Sequence, residues 1–137
     1  MIEAGLRSLL LSKSEVTNLV GSVVRVVRLR EKDTFPAVTI TCPNSEHVND
    51  LSGLGGLCKS DVQFLCMAKT LEEARELAKQ VRLTVSGYKG PALAEDITAV
   101  IVDSTTSDWV SLDDAGDTGV YSVDLNCTVW HHEAVPT

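Results

Sequence analysis

Residues 61–87 decide what kind of fold this chain can take up. Asp61 to Ala68 sets Val62, Phe64, Cys66 and Ala68 against Gln63, Leu65 and Met67, so a strand there is apolar on both faces and belongs inside a sheet. Two residues on, Thr70-Leu-Glu-Glu73 forms a capping box: the threonine hydroxyl accepts from the backbone of Glu73 and the glutamate reaches back. The helix it opens carries Leu71, Ala74, Leu77, Ala78, Val81 and Val85 within about a third of its wheel, and Gly87 supplies the left-handed residue that ends it. Leu83 falls among Glu72, Glu76 and Lys79 on the opposite side, where a neighbouring subunit could cover it.

The flanking segments read as further pieces of one sheet. Ile2 to Lys13 spaces Ile2, Leu6, Leu9 and Leu10 as an amphipathic helix, and Ser14 to Gly21 suggests a short capped turn. Ser22 to Arg30 is valine-rich and extended, with Arg28 and Arg30 on one face. Pro36 opens a strand over Ala37 to Cys42 that Pro43 and Asn44 end. Asn44 to Ser60 is polar and glycine-rich and predicts a loop.

After the central helix, Ile97 to Ser104 is a β-branched strand. The acidic stretch Asp103 to Asp117, with five aspartates, no base and Trp109, predicts a loop or hairpin tip. Gly119 to His131 alternates Tyr121, Val123, Leu125, Cys127 and Val129 with Ser122, Asp124, Asn126, Thr128 and Trp130, a long strand with one core face and one wet face. The expectation is a single α+β domain over residues 1–137: one mixed or mostly antiparallel sheet of about five strands with two main helices on one face.

Composition narrows the function. A net charge of −7 disfavours tight nucleic-acid binding, which draws its affinity from basic residues displacing counterions. The one basic cluster, Arg25, Arg28, Arg30 and Lys32, reads as a solvated strand face or a partner contact. Apolar stretches fall far short of the roughly 20 residues that span a bilayer, and the start lacks a signal peptide's basic region and cleavage site, so a cytosolic chain without membrane contact is expected. Four cysteines with no CxxC spacing predict neither a disulfide framework nor zinc; Cys42, Cys66 and Cys127 fall in strand-like runs as small core hydrophobes.

Motifs that could carry chemistry fail on spacing. Gly53 to Ser60 has the glycines and Lys-Ser of a phosphate loop, but Cys58 precedes the lysine and a strand follows where a helix is required. His131 and His132 are neighbours on a strand and point to opposite faces, so they do not converge on a metal. Asp113-Asp114-Ala-Gly-Asp117 lacks the alternation and closing glutamate of a calcium loop, and no nucleophile elbow is present. No cofactor, metal or catalytic site is expected. What survives are surfaces: the glycine loop, the arginine strand, Trp109 on its acidic segment and Trp130 on the last strand.

The layout as a whole resembles the tail-terminator, or tail-completion, family of long-tailed phages and prophages. The resemblance rests on the helix IEAGLRSLLLSKSEVTNLVG, the strands VVRVVRLR and FPAVTIT, the strand and helix DVQFLCMAKTLEEARELAKQVRLTVSG, and the closing strand YSVDLNCTVWHHE. It implies a non-enzymatic virion protein of the tail and neck, assembled in the host cytoplasm. The implied subunit forms a ring with copies of itself, a hexamer, that caps the tail-tube protein, ends its polymerisation and meets a head-side connector or stopper protein. Arg25, Arg28, Arg30, Leu83, Trp109 and Trp130 are the residues expected at self-assembly or partner contacts. DNA passing through such a ring would be kept from sticking by a lumen lined with Asp108, Asp113, Asp114 or Asp117. Another neck component, or a small ligand-binding regulatory domain, are the alternatives.

Overall fold

A computed structural model describes residues 2–21, 23–27, 29, 33–47, 57–92, 95–111 and 119–132. Helices α1 (Ile2–Leu11) and α2 (Ser14–Val20) lead into β1 (Val24–Val26), β2 (Ala37–His47) and β3 (Leu57–Ala68). Then come α3 (Leu71–Val85), β4 (Gly90–Ala92), β5 (Glu95–Ser111) and β6 (Gly119–His132). The strands form one six-stranded sheet in the order β1-β2-β3-β6-β5-β4, with β1 parallel to β2 and every other pair antiparallel.

The central strand and its helix form as their sequence dictates. Strand β3 lies between β2 and β6, and Val62, Phe64, Cys66 and Ala68 are buried beneath the helices. The Thr70 hydroxyl accepts from the Glu73 N–H at 3.2 Å, and Ala74, Leu77, Ala78, Val81 and Val85 are the buried stripe of α3. Gly87, at φ 73°, turns the chain away.

Three expectations about the first half need correction. Ser14 opens a true helix rather than a capped turn: α2 has Lys13 at its N-cap with no side-chain cap, and Val16 and Val20 are buried, so packing rather than capping holds it. The valine-rich strand is cut to Val24–Val26 because Val27 adopts φ 73° and donates its N–H to Ile40 at 2.8 Å, turning the backbone out of line. Strand β2 does not stop at Pro43. A bulge between Thr41 and Asn44 accommodates the residue without an N–H, and pairing resumes at Asn44↔Asp61 and runs to His47↔Cys58. The expected loop is thus strand at both ends, and the glycines at 53, 55 and 56 lie outside the described residues.

The acidic segment is corrected in the same way. Strand β5 continues through Asp103, Asp108 and Trp109 to Ser111, paired with β6 to Ser111↔Gly119. Fourteen cross-strand partners along β6 outweigh the loop-like composition of β5. Asp113, Asp114 and Asp117 lie outside the described residues, as do Arg28, Arg30 and Lys32.

Helix α1 holds the two margins of the sheet together. It packs against β1 and β2 at one edge and against β4 at the other, so the sheet curls around it. Gly5 makes this approach feasible: a Cβ there would sit 2.5 Å from the carbonyl oxygen of Ala92. Leu6, Leu10, Val38, Ile40, Phe64, Leu77, Val81 and Leu125 fill the space between sheet and helices with no exposure above 1%.

Candidate functional site

Strand alternation gives the sheet two unlike faces. One carries the core under the helices. On the other, no helix packs among the described residues, and the register brings together Asp61 opposite Thr128, Gln63 opposite Asn126 and Leu65 opposite Asp124. Strand β5 adds Ile101 opposite Thr128, Ser104 opposite Asn126, Thr106 opposite Asp124 and Asp108 opposite Ser122.

This open face is hydrogen-bonded across its strands. Thr128 donates to Asp103 Oδ2 at 2.6 Å, Asn126 Nδ2 donates to Ser104 Oγ at 3.2 Å, and Asn44 Nδ2 donates to Asp61 Oδ2 at 3.4 Å. Asp124 is the strained member: its Oδ1 is buried without a partner. Burial pushes its carboxyl above the ordinary carboxylate range and the charge of Asp108 adds to this, while a hydrogen bond from Gln63 works the other way. Asp61, Asp103, Asp108 and Asp124 thus share one sheet face, and Asp96, opposite His132, lies on the same side at its end. Lys59 is the only lysine or arginine in β3, β5 or β6, and its Nζ sits 5.7 Å from the centre of the Trp130 ring it pairs with across strands.

The residues expected at partner contacts scatter over several surfaces. Arg25 is engaged within the chain: its Nε and Nη2 donate to the two carboxylate oxygens of Asp33 at 3.0 and 2.8 Å. Trp130 is half-buried under Lys59 on the open face. Leu83 is 58% exposed on the outward side of α3, at a shallow depression with Lys13, Glu15, Gln80 and Thr84. Trp109 is 42% exposed in a strand, and its backbone N–H donates to Asp108 Oδ1 at 2.7 Å. Of the aspartates expected in a lumen, Asp108 lies on the open face. The sequence reading missed Asp61, Asp103 and Asp124 beside it, because only register across three strands puts them together.

Histidine and cysteine chemistry is enclosed. His131 is buried and His132 exposed, on opposite faces of β6 as strand geometry requires. Ser60 Oγ lies 2.7 Å from His131 Nε2 and 2.9 Å from Ser45 Oγ, a serine–histidine pair at nucleophile–base distance. Both members are at most 1% exposed, so the pair works as a satisfied polar link between strands with no room for a substrate. Cys58, expected in a loop, is buried in β3, whereas Cys42 is only half-buried. Burial pushes the Cys66 thiol up and that of Cys127 up to about 12, which keeps both protonated. Among the described residues no three histidine, cysteine or acidic side chains are grouped to hold a metal, and no helix is long and apolar enough to cross a membrane.

The model of a family described as "Tail completion protein gp17" matches residues 4–132. No curated protein sequence matches. Among solved structures, a chain from the "Virion of native gene transfer agent (GTA) particle" is similar to this one with a TM-score of 0.71 at 14% identity, covering 96% of this chain and 94% of that one. At that identity the likeness is one of fold.

Proposed function

The chain belongs to the tail completion protein gp17 family, a structural component of phage tails, and from that premise we propose that it is a ring-forming tail terminator. In this reading copies of the chain close into a hexameric ring that caps the tail-tube protein, ends its polymerisation and presents its other side to a head-side connector. The virion of the tail and neck is then its location, and the ring assembles in the host cytoplasm. The whole of residues 1–137 serves as one assembly domain.

The observation that carries the proposal is the one-sided sheet. Helices cover one face, while the other is broad and polar and bears Asp61, Asp103, Asp108 and Asp124, with Lys59 as the only lysine or arginine of β3, β5 and β6. Facing a ring's lumen, such a face would repel phosphates and let DNA slide without being held. Trp109, Tyr121, Ile101 and Leu83 stay at least 36% exposed in the isolated subunit, apolar area of the kind that contacts between subunits bury.

Light-scattering mass after size exclusion, over a range of concentrations and with tail-tube protein present, tests the proposal. A six-fold mass, alone or on the tube, supports it. A monomer indifferent to both concentration and tube protein overturns it.

A further inference from the structure

Helix α3 carries a second pattern besides its buried stripe. Arg75, Lys79 and Arg82 recur at i, i+4 and i+7, so they stand in one row along the flank of the helix. All three are exposed, and none makes an ion pair with a carboxylate among the described residues. The row faces the helix-side surface of β5, where Thr105 and Ser107 are exposed because α3 packs over β3 and β6 and leaves this part of β5 bare. Between them lies an open cleft of about 270 Å³ floored by Val123 and Leu125. One pair further along the same face of the ribbon, Trp109 stands opposite Tyr121, 42% and 36% exposed.

We propose that this cleft is the docking site for a second copy of the chain, which enters it with a carboxylate-bearing surface. Charge complementarity supplies the argument. The chain has nineteen acidic residues against twelve basic ones, so a second copy offers this row more carboxylates to meet than cations. The exposed aromatic pair at the end of the cleft adds the apolar anchor that a row of cations lacks.

The same charges exclude one arrangement of the contact, cleft against cleft. A two-fold contact that placed cleft on cleft would set one cation row against the other in low dielectric, where like charges repel. The cleft therefore meets a different surface of its neighbour. Two different surfaces can still pair reciprocally across a two-fold axis, and it is the ring reading above that selects the head-to-tail arrangement, which closes into a ring. The inference thus rests on the ring reading above and deepens it by assigning one side of the subunit contact. A nucleic acid would also be drawn by the row, and it is an outcome that the test below separates from a second copy.

The test couples carbodiimide cross-linking with assembly mass. Copies with and without ¹⁵N are mixed, assembled with tail-tube protein present, cross-linked and digested. The expected result is a cross-link from Lys79 of one copy to an aspartate or glutamate of a differently labelled copy. In parallel, Lys79→Glu with Arg82→Glu should raise the concentration needed for assembly at least about tenfold, with circular dichroism unchanged. Because the cross-link is read on the native chain, it stands even if that double variant fails to fold.

A ring that forms while Lys79 links only within its own copy, or that assembles from the double variant at unchanged concentration, overturns the docking site and leaves the ring reading standing. Cross-links from Lys79 to tube protein, or DNA retained by the native chain and released by the double variant, assign the cleft to another occupant and overturn it too. A chain that stays monomeric throughout overturns the ring reading and this inference with it.

Discussion

Trp109 on β5 and Tyr121 on β6 stand directly opposite each other, yet the pair remains 42% and 36% exposed. Cross-strand aromatic pairs contribute to a sheet through mutual contact, and exposure of this extent leaves much of their apolar area available to a partner. Trp109→Ala is expected to weaken ring assembly by about 1–3 kcal/mol while moving the subunit's own melting temperature by only a few degrees. A light-scattering dilution series beside a thermal melt separates the two effects.

Helix α1 depends on Gly5 for its contact with β4. Gly5→Ala places a methyl carbon 2.5 Å from the Ala92 carbonyl oxygen, a backbone atom that moves only if the strand moves. The expected loss is about 1–3 kcal/mol of subunit stability, read by urea denaturation. Gly21, where an added Cβ meets nothing within 4 Å, shows no such clash, although its positive φ would still strain an alanine there.

The cap of α3 offers a milder test. Thr70→Ala removes the hydroxyl that satisfies the Glu73 N–H and should cost about 1 kcal/mol, whereas Thr70→Ser should cost little. Chemical denaturation of the two variants side by side checks this.

Asp124 gives the subunit a pH dependence of known sign. Its pKa is raised in the folded chain, so the folded state holds a proton that the unfolded state has already released. The contribution is fully present below the ordinary carboxylate range of about pH 4 and is lost as pH rises through the raised value. Asp124→Asn should therefore be more stable than the native chain at neutral pH, with the advantage growing from pH 4 upward. Melting curves across that range check it, and an advantage that instead shrank would assign the wrong sign to the burial of this carboxyl.

For the open sheet face, the assembled ring provides the readout. Asp61→Lys with Asp103→Lys should leave the fold intact and make the ring retain DNA at low salt, with retention falling as salt is raised. Unchanged retention would remove the face from the lumen. The corresponding change at Asp113 and Asp114, also expected in the lumen from sequence, belongs in the same assay.

Much of this architecture is legible in the sequence because it follows from local patterns. The capping box at Thr70, the stripe from Leu71 to Val85 and the two-residue alternation of β3 and β6 depend on backbone period alone, and they place a central strand, its helix and its partner strand. The readings that failed were those made from composition. Pro43 and Asn44, or Asp103 and Asp108, look like loop residues, but pairing with a long neighbour on one side carries β2 past its bulge and β5 to Ser111.

The candidate surfaces divide in the same way. The exposure of Leu83 and the spacing of Arg75, Lys79 and Arg82 are properties of one helix, and the sequence by itself determines them. The open aspartate face, the cleft beside β5 and the Ser60–His131 link were decided only by the tertiary structure. Asp61, Asp124 and the pair Asp103 and Asp108 come from three strands, and a one-residue slip in either of the two registers that join them would send them to opposite faces. Side-chain period is written into each segment, but which segments meet, and in what register, is set by the packing of the whole core.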